Sequence, residues 1–247
     1  MDRLIYVAMT GAKHLMTRQD NVAHNLANAD TPGFRAQMSA FRTAPAVGDG
    51  LPTRAFAVDS TTGSDFSPGP IRQTGRSLDI AVQSDGWIAV QAKDGSEAYT
   101  RNGSLQTDSE GVLQTNSGLR VASDSGPITI PPDHAITVAD DGTISATPTG
   151  QGANTAIVVG RIKLVNPPER SLSRGDDGLF RTKDRSPVPV DENIRIASGA
   201  LEGSNVNPVD AMVNMISLAR QFEMQMKMLQ TAEANAREAT QLLSVGS

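Results

Sequence analysis

The run NPVDAMVNMISLARQFEMQMKMLQTAEANA, residues 207–236, decides the architecture of this chain: it has no Gly, one Pro at its start, and an apolar stripe in helical register. Met215, Ala219, Phe222, Met226, Leu229, Glu233, Ala236, Thr240 and Leu243 alternate at spacings of four and three, the seam of a long pairing helix. Its start is equally marked. Asn207 can accept hydrogen bonds from free backbone N–H groups, Pro208 suits the first helical position, and Asp210 meets the positive end of the helix dipole. The spacing predicts a helix that begins within a residue or two of Asn207.

The opposite end repeats the pattern. Residues 1–29 contain no Pro and a single Gly, and Leu4, Ala8, Gly11, Leu15, Arg18, Val22 and Asn25 follow the same alternation, with Leu26 beside them. Small residues on this stripe permit close approach of further helices. Between the ends the composition changes to Gly, Pro, Thr and short alternating runs. Leu78–Val82, Trp87–Ala92, Ala98–Arg101, Ala135–Val138, Ala156–Val165 and Ile194–Ile196 read as strands. Asp94-Gly95 and Asn102-Gly103 supply the positive φ of tight hairpin turns, and Gly111, Asp141-Gly142 and Asp177-Gly178 mark further turns. The expected fold is mainly β with α-helical termini: an antiparallel β domain, 76–206, inserted between N- and C-terminal helices that pair as a coiled coil. Residues 1–34 plus 207–247 form the discontinuous helical domain. Residues 35–75, with several Pro and Gly, read as an extended connector too irregular for repeated strands.

Composition removes several function classes. The 22 Lys and Arg against 27 Asp and Glu leave a net charge of −5, with no basic block to release counterions from nucleic acid or to meet an anionic membrane. No apolar run approaches the length of a membrane span. Leu4–Ala12 lacks the basic flank and cleavage site of a secretory leader, so no cleaved signal peptide is expected. With no Cys there is no disulfide, thiolate metal site or thiol nucleophile. His14 and His24 are off the i, i+4 spacing of helical metal ligands and His134 has no partner nearby in sequence, so neither metal nor cofactor is expected. Phosphate-loop, dinucleotide, zinc-protease and serine-hydrolase motifs are absent. The pairs Asp140-Asp141 and Asp176-Asp177 are the nearest approach to the two carboxylates of a glycan hydrolase. Each precedes a Gly, where turn chemistry accounts for it, and the chain reads as a non-enzyme. Trp87 reads as a β-core residue.

The two seams pose a physical problem, since a β domain cannot cover both and a single buried stripe does not offset the entropy of ordering so long a helix. Assembly with other subunits resolves it; an ordinary closed helical hairpin is the plainer alternative. All nine Met lie at position 38 or earlier, or at 212 or later, and flexible thioethers suit a surface that meets several non-equivalent neighbours. The expected assembly contacts are Leu4, Ala8, Leu15, Val22 and Leu26 with Met215, Ala219, Phe222, Met226, Leu229 and Leu243.

At Asn25-Leu-Ala-Asn28-Ala-Asp-Thr31-Pro32-Gly33-Phe34 the sequence resembles the N-terminal signature of the flagellar axial proteins, which include rod and hook subunits. From the residues alone, Asn28 or Asp30 can close the helix, Thr31-Pro32-Gly33 forces a turn, and Phe34 offers an apolar anchor. Ser198-Gly-Ala-Leu201-Glu202-Gly-Ser204-Asn205-Val206-Asn207, followed by Arg220-Gln-Phe-Glu223, resembles the family's other terminal signature. Thr74-Gly75, Leu78-Asp79, Asp85-Gly86-Trp87 and Tyr99-Thr-Arg-Asn-Gly103 resemble its β core. The resemblance covers nearly the whole chain. It implies a structural subunit of the bacterial basal-body rod, exported unfolded by the flagellar type III apparatus without a cleaved signal. It further implies polymerisation, with other proximal and distal rod subunits and its own copies, into a hollow shaft across the periplasm. Met1-Asp-Arg-Leu-Ile-Tyr6 and Gly175-Asp-Asp-Gly178 favour one rod subunit over its distal-rod sibling; a distal-rod or hook-type member is the alternative.

Overall fold

The computed structural model describes residues 2–45, 55–123, 126–149 and 155–245. They divide into two compact units: Met1–Ala29, Ala36–Asp65 and Val206–Ser247 form the first, Asp30–Arg35 and Phe66–Asn205 the second.

The first unit holds both helices, α1 (Asp2–Ala27) and α2 (Pro208–Val245), and two strands, β1 (Gln37–Pro45) and β2 (Ala55–Ser64). α2 starts as its sequence requires. Asn207 Oδ1 accepts from the backbone N–H groups of Val209 (3.0 Å) and Asp210 (3.4 Å). The stretch expected to be an irregular connector is instead an antiparallel ladder, paired from Gln37 with Ser64 to Pro45 with Ala55, with an irregularity between Ala40 and Phe41. Most of the Pro and Gly that suggested irregular chain fall between or after the two runs, while Phe41, Thr43, Phe56, Val58, Thr61 and Thr62 within them are residue types that suit a pleated strand.

The second unit is β among its described residues apart from a short 3-10 turn, Glu169–Ser171. Its strands are β3 (Ile71–Gln73), β4 (Ile80–Val82), β5 (Trp87–Gln91), β6 (Glu97–Thr100), β7 (Leu105–Thr107), β8 (Leu113–Thr115), β9 (Arg120–Val121), β10 (His134–Val138), β11 (Thr143–Pro148), β12 (Ile157–Arg161), β13 (Leu164–Val165), β14 (Leu172–Arg174), β15 (Phe180–Thr182), β16 (Ile196–Ser198) and β17 (Ala200–Glu202). The largest sheet runs β14-β15-β6-β5-β9-β8-β7, with β13 on β5; β10-β11-β12 form a second, and β16-β4 and β17-β3 are pairs. Every pairing is antiparallel. Strand alternation divides the core at β5: Ile88 and Val90 enter the main cluster with Ile80, Leu105, Leu113 and Ile144, while Trp87 and Ala89 join Tyr99, Val165, Leu172 and Phe180 on the other face. Trp87 lies 4.6 Å from Phe180 with the rings tilted at 48° and meets Phe66 edge-on at 6.0 Å, the core role its sequence context suggested.

Turn chemistry accounts for most connections. Gly95 (φ +82) joins β5 to β6, Gly142 (φ +84) joins β10 to β11, and Gly178 (φ +79) joins β14 to β15. Asn102-Gly103 departs from the expected hairpin, because β6 pairs with β5 and β15 and the chain passes on to β7 at the far edge of the sheet. Gly103 is needed for closeness instead: a Cβ there would lie 1.8 Å from the carbonyl oxygen of Ile80.

Candidate functional site

In the first unit α1 and α2 pack along one another. Ala8 and Ala12 of α1 and Ala211 and Leu218 of α2 are buried. Small residues at the contact let the helices approach; a Cβ added at Gly11 would lie 3.5 Å from Gln225 Nε2. Along α2 the covered positions are Ala211, Met215, Leu218, Phe222, Gln225, Leu229 and Ala232, again at steps of four and three. The pairing stripe within the chain therefore takes Leu218 and Gln225 where sequence reasoning placed Ala219 and Met226. Ala219 is half-buried at its border, and Met226 is exposed. Leu15, Val22 and Leu26 are half-buried on α1, while Leu4 and Leu243 lie outside the residues whose side chains are described.

What the pairing leaves uncovered is as informative. Met212, Val213, Ile216, Met224, Met226 and Met228 of α2, and Met9 and Met16 of α1, are exposed apolar side chains. Met224 and Met228 form one wall of a groove whose other wall is Gly11, Leu15 and Arg18.

The signature residues have separable roles. Asn25 clamps the first residue of β1 in both directions: its Nδ2 donates to the Gln37 carbonyl (2.9 Å) and its Oδ1 accepts from the Gln37 N–H (2.8 Å). Asn28 Nδ2 donates to the His24 carbonyl at 2.9 Å, satisfying an orphan acceptor of the last helical turn. Thr31 and Pro32 lead into a turn closed by Phe34 N–H on the Thr31 carbonyl. At Gly33 the φ is +68° and a Cβ would lie 2.3 Å from the Arg101 carbonyl carbon, so only Gly fits. Phe34 is buried, with the Arg174 guanidinium 4.5 Å from its ring.

Inside the second unit the two signatures meet. Gly33 N–H donates to the Glu202 carbonyl (2.8 Å), Asn205 N–H to the Phe34 carbonyl (3.3 Å), and Asn205 Nδ2 to the Ser67 carbonyl (3.0 Å). Between them lies a buried ion triad. Glu202 Oε1 accepts from Arg35 Nη1 at 2.7 Å and from the Gly69 N–H at 2.9 Å, and Oε2 accepts from Arg101 Nη1 at 3.1 Å. Arg35 also donates to the Ser67 carbonyl, and Arg101 to that of Ser84. Burial pushes the Arg101 guanidinium below its ordinary value; the Glu202 carboxylate opposes that shift and the Arg35 charge adds to it. Sequence reasoning quoted Arg101 and Glu202 only as letters of signatures and did not single out Arg35. Strand parity was the available signal, since Ala200 and Glu202 of β17 share the buried face and a carboxylate there requires a cation. Leu201, on the opposite face, is half-buried, as is Val206, and Ser204 is buried.

The aspartate pairs do what turns require. Asp141 accepts from the Thr143 N–H (3.0 Å) and hydroxyl (2.8 Å), which hold its carboxyl below the usual carboxylate range. Arg181 grips Asp177 with two bonds, 3.0 and 2.6 Å, with the same effect. Neither is poised to donate a proton, the role a hydrolytic pair demands of one member. Among the described residues no group of His, Asp and Glu is arranged to hold a metal ion, and no helix is long and apolar enough to cross a membrane.

Three family models match separate stretches of the chain. A family model described as flagella basal body rod protein matches residues 5–35, one described as flagellar hook protein FlgE/F/G D1 domain matches 81–146, and one described as flagellar basal body rod FlgEFG protein C-terminal matches 197–242. The flagellar basal-body rod protein FlgF of Escherichia coli (strain K12) is 51% identical over 99% of this chain and 100% of its own length. FlgF of Salmonella typhimurium (strain LT2) is 49% identical over the same shares, and FlgG of Buchnera aphidicola is 29% identical over 96% of this chain and 98% of its own. Identity of this extent along the full length shows that the chain belongs to the FlgF family of flagellar basal-body rod proteins.

Proposed function

We propose that this chain is a structural subunit of the flagellar basal-body rod and that it self-assembles through α1 and α2, paired as a coiled coil, with neighbouring rod subunits and copies of itself. The observation that carries this reading is the apolar side chains that α2 leaves exposed after pairing, among them Met212, Ile216, Met224, Met226 and Met228. Isolated exposed apolar residues need no explanation, but five along one helix do. The discontinuous helical domain is then the polymerising part. Passage through the type III export apparatus and a position across the periplasm complete the proposal. An unfolded route to the assembly site agrees with helices whose open faces find partners only there. The higher identity to FlgF than to FlgG favours the place of FlgF in the rod over that of FlgG.

The test is complementation of motility in a host strain lacking its own copy, with Ile216→Asp and Met224→Asp. Both variants are expected to reach wild-type levels in the cell and to abolish swimming; full swimming by both would overturn the reading.

A further inference from the structure

Each helix of the first unit carries a second stripe, away from the one that pairs. On α2 it runs through Val209, Val213, Ile216, Arg220, Glu223 and Lys227, and on α1 through Met9, Lys13, Met16, Asp20, Ala23 and Ala27; every one of these side chains is exposed. The steps of four and three are the same in both sets, so each lines one face of its helix. Lys13, Asp20, Arg220 and Glu223 make no ion pair among the described residues. Within the chain the helices run antiparallel. Asn205, just ahead of α2, donates its N–H to the carbonyl of Phe34, just after α1, and Gly11 faces Gln225 at a similar distance from that junction along each helix.

We propose that the open face of α1 in one copy docks on the open face of α2 in the next, antiparallel, with Lys13 of one copy on Glu223 of the other. This inference rests on the assembly reading above. A copy that keeps the same sense along the helices presents its α1 antiparallel to this α2, and the charges then fall in matching order. In the register that sets Lys13 against Glu223, Met16 lies along the stem of Arg220, Ala23 meets Val213 and Ala27 meets Val209. Arg220, one turn from Asp20 in that register, reaches it with its long side chain. A second copy is the occupant because it carries both halves of the match. Pairing α1 with another α1 would leave Val209, Val213 and Ile216 in water, whereas α1 on α2 covers both faces. The contact is heterologous, so each added copy presents the same two faces again and growth continues.

Because the chain has no Cys, an introduced pair reports this contact without background. The full-length variant Ala23→Cys/Val213→Cys, expressed in a motile host lacking its own copy and oxidised in isolated basal bodies, is expected to give disulfide-linked species at multiples of the 26.0 kDa chain. Within one chain the two positions lie on faces turned from one another, beyond the reach of a direct disulfide. Swimming cells without linked species overturn the proposal. A linked dimer from either single-cysteine variant overturns it too, since like faces would then be paired or another subunit would hold the site. Should the cysteine pair itself stop swimming, the charges decide: Lys13→Glu is expected to lose motility and Lys13→Glu/Glu223→Lys to recover it, and no recovery overturns the pairing. Failure of the assembly reading is separate. If Ile216→Asp abolishes swimming while no link forms between positions 23 and 213, assembly through the helices stands and this docking falls.

Discussion

Arg35 and Glu202, far apart in sequence, meet at 2.7 Å with neither side chain more than 1% exposed. One follows the turn that leaves α1, the other ends the last strand before α2, so a single carboxylate fastens both passages of the chain within the β unit. A buried ion network is weak as net stabilisation but severe when broken, because the remaining cations stay buried without an anion.

Glu202→Ala is therefore expected to destabilise the β unit by about 3–5 kcal/mol, leaving Arg35 and Arg101 facing one another. Urea unfolding followed by Trp87 fluorescence measures it. A cost below about 1 kcal/mol would mean that the triad is worth no more than a surface pair.

Two glycines with similar backbone angles should respond very differently to alanine. Gly95 has φ +82 and nothing within 4 Å of a new Cβ, so Gly95→Ala costs only the left-handed conformation, about 1–2 kcal/mol. Gly33→Ala adds a collision with the Arg101 backbone that neither segment can relieve, and its cost should exceed about 4 kcal/mol. The same urea series compares them; equal losses would show that the Gly33 turn has room to move.

The Asp177–Arg181 pair makes part of the β unit's stability sensitive to acid. Hydrogen bonds from Arg181 lower the Asp177 pKa in the folded state relative to the unfolded chain. Such a group contributes stability above its unfolded pKa of about 3.9, and the contribution is lost as pH falls through the lower folded value. Asp177→Asn should accordingly lower stability at neutral pH and flatten the decline below about pH 4. An unaltered acid profile would assign that decline to other carboxylates. Motility should survive both this substitution and Asp141→Asn, since each carboxylate serves only its turn.

Much of this was legible in the chain because it is written locally. The start of α2 is fixed by Asn207, Pro208 and Asp210, and the β5–β6 hairpin by Asp94-Gly95, within a few residues each. What escaped depends on partners distant in sequence. Gly103 reads as a turn residue until the Ile80 carbonyl is seen against it. Arg35, Arg101 and Glu202 read as three unrelated charges until three separate segments bring them together. The apolar stripe on α2 was visible, but its centre was not, because Met residues surround the helix so fully that several neighbouring stripes fit the spacing. Contact with α1 selects the one through Leu218 and Gln225. The ladder of β1 and β2 was obscured by flanking Pro and Gly.

The two faces of α2 predict that equal substitutions will fail in different ways. Phe222 lies on the stripe against α1 and Met226 on the open face, one helical turn further along. An Asp at position 222 places a charge in the helix pair, so Phe222→Asp should lower helical content and speed proteolysis of both termini in the purified chain, with the β unit intact. Met226→Asp places its charge in water while the chain is free and should leave helicity and proteolysis unchanged. Both should abolish motility, the first because the pair is lost, the second because a neighbouring subunit must bury the carboxylate. Circular dichroism at 222 nm, set beside swimming assays of the same two variants, separates these origins. Loss of helicity in Met226→Asp would show that this face is already covered in the free chain, and retained motility would show that it is never covered at all.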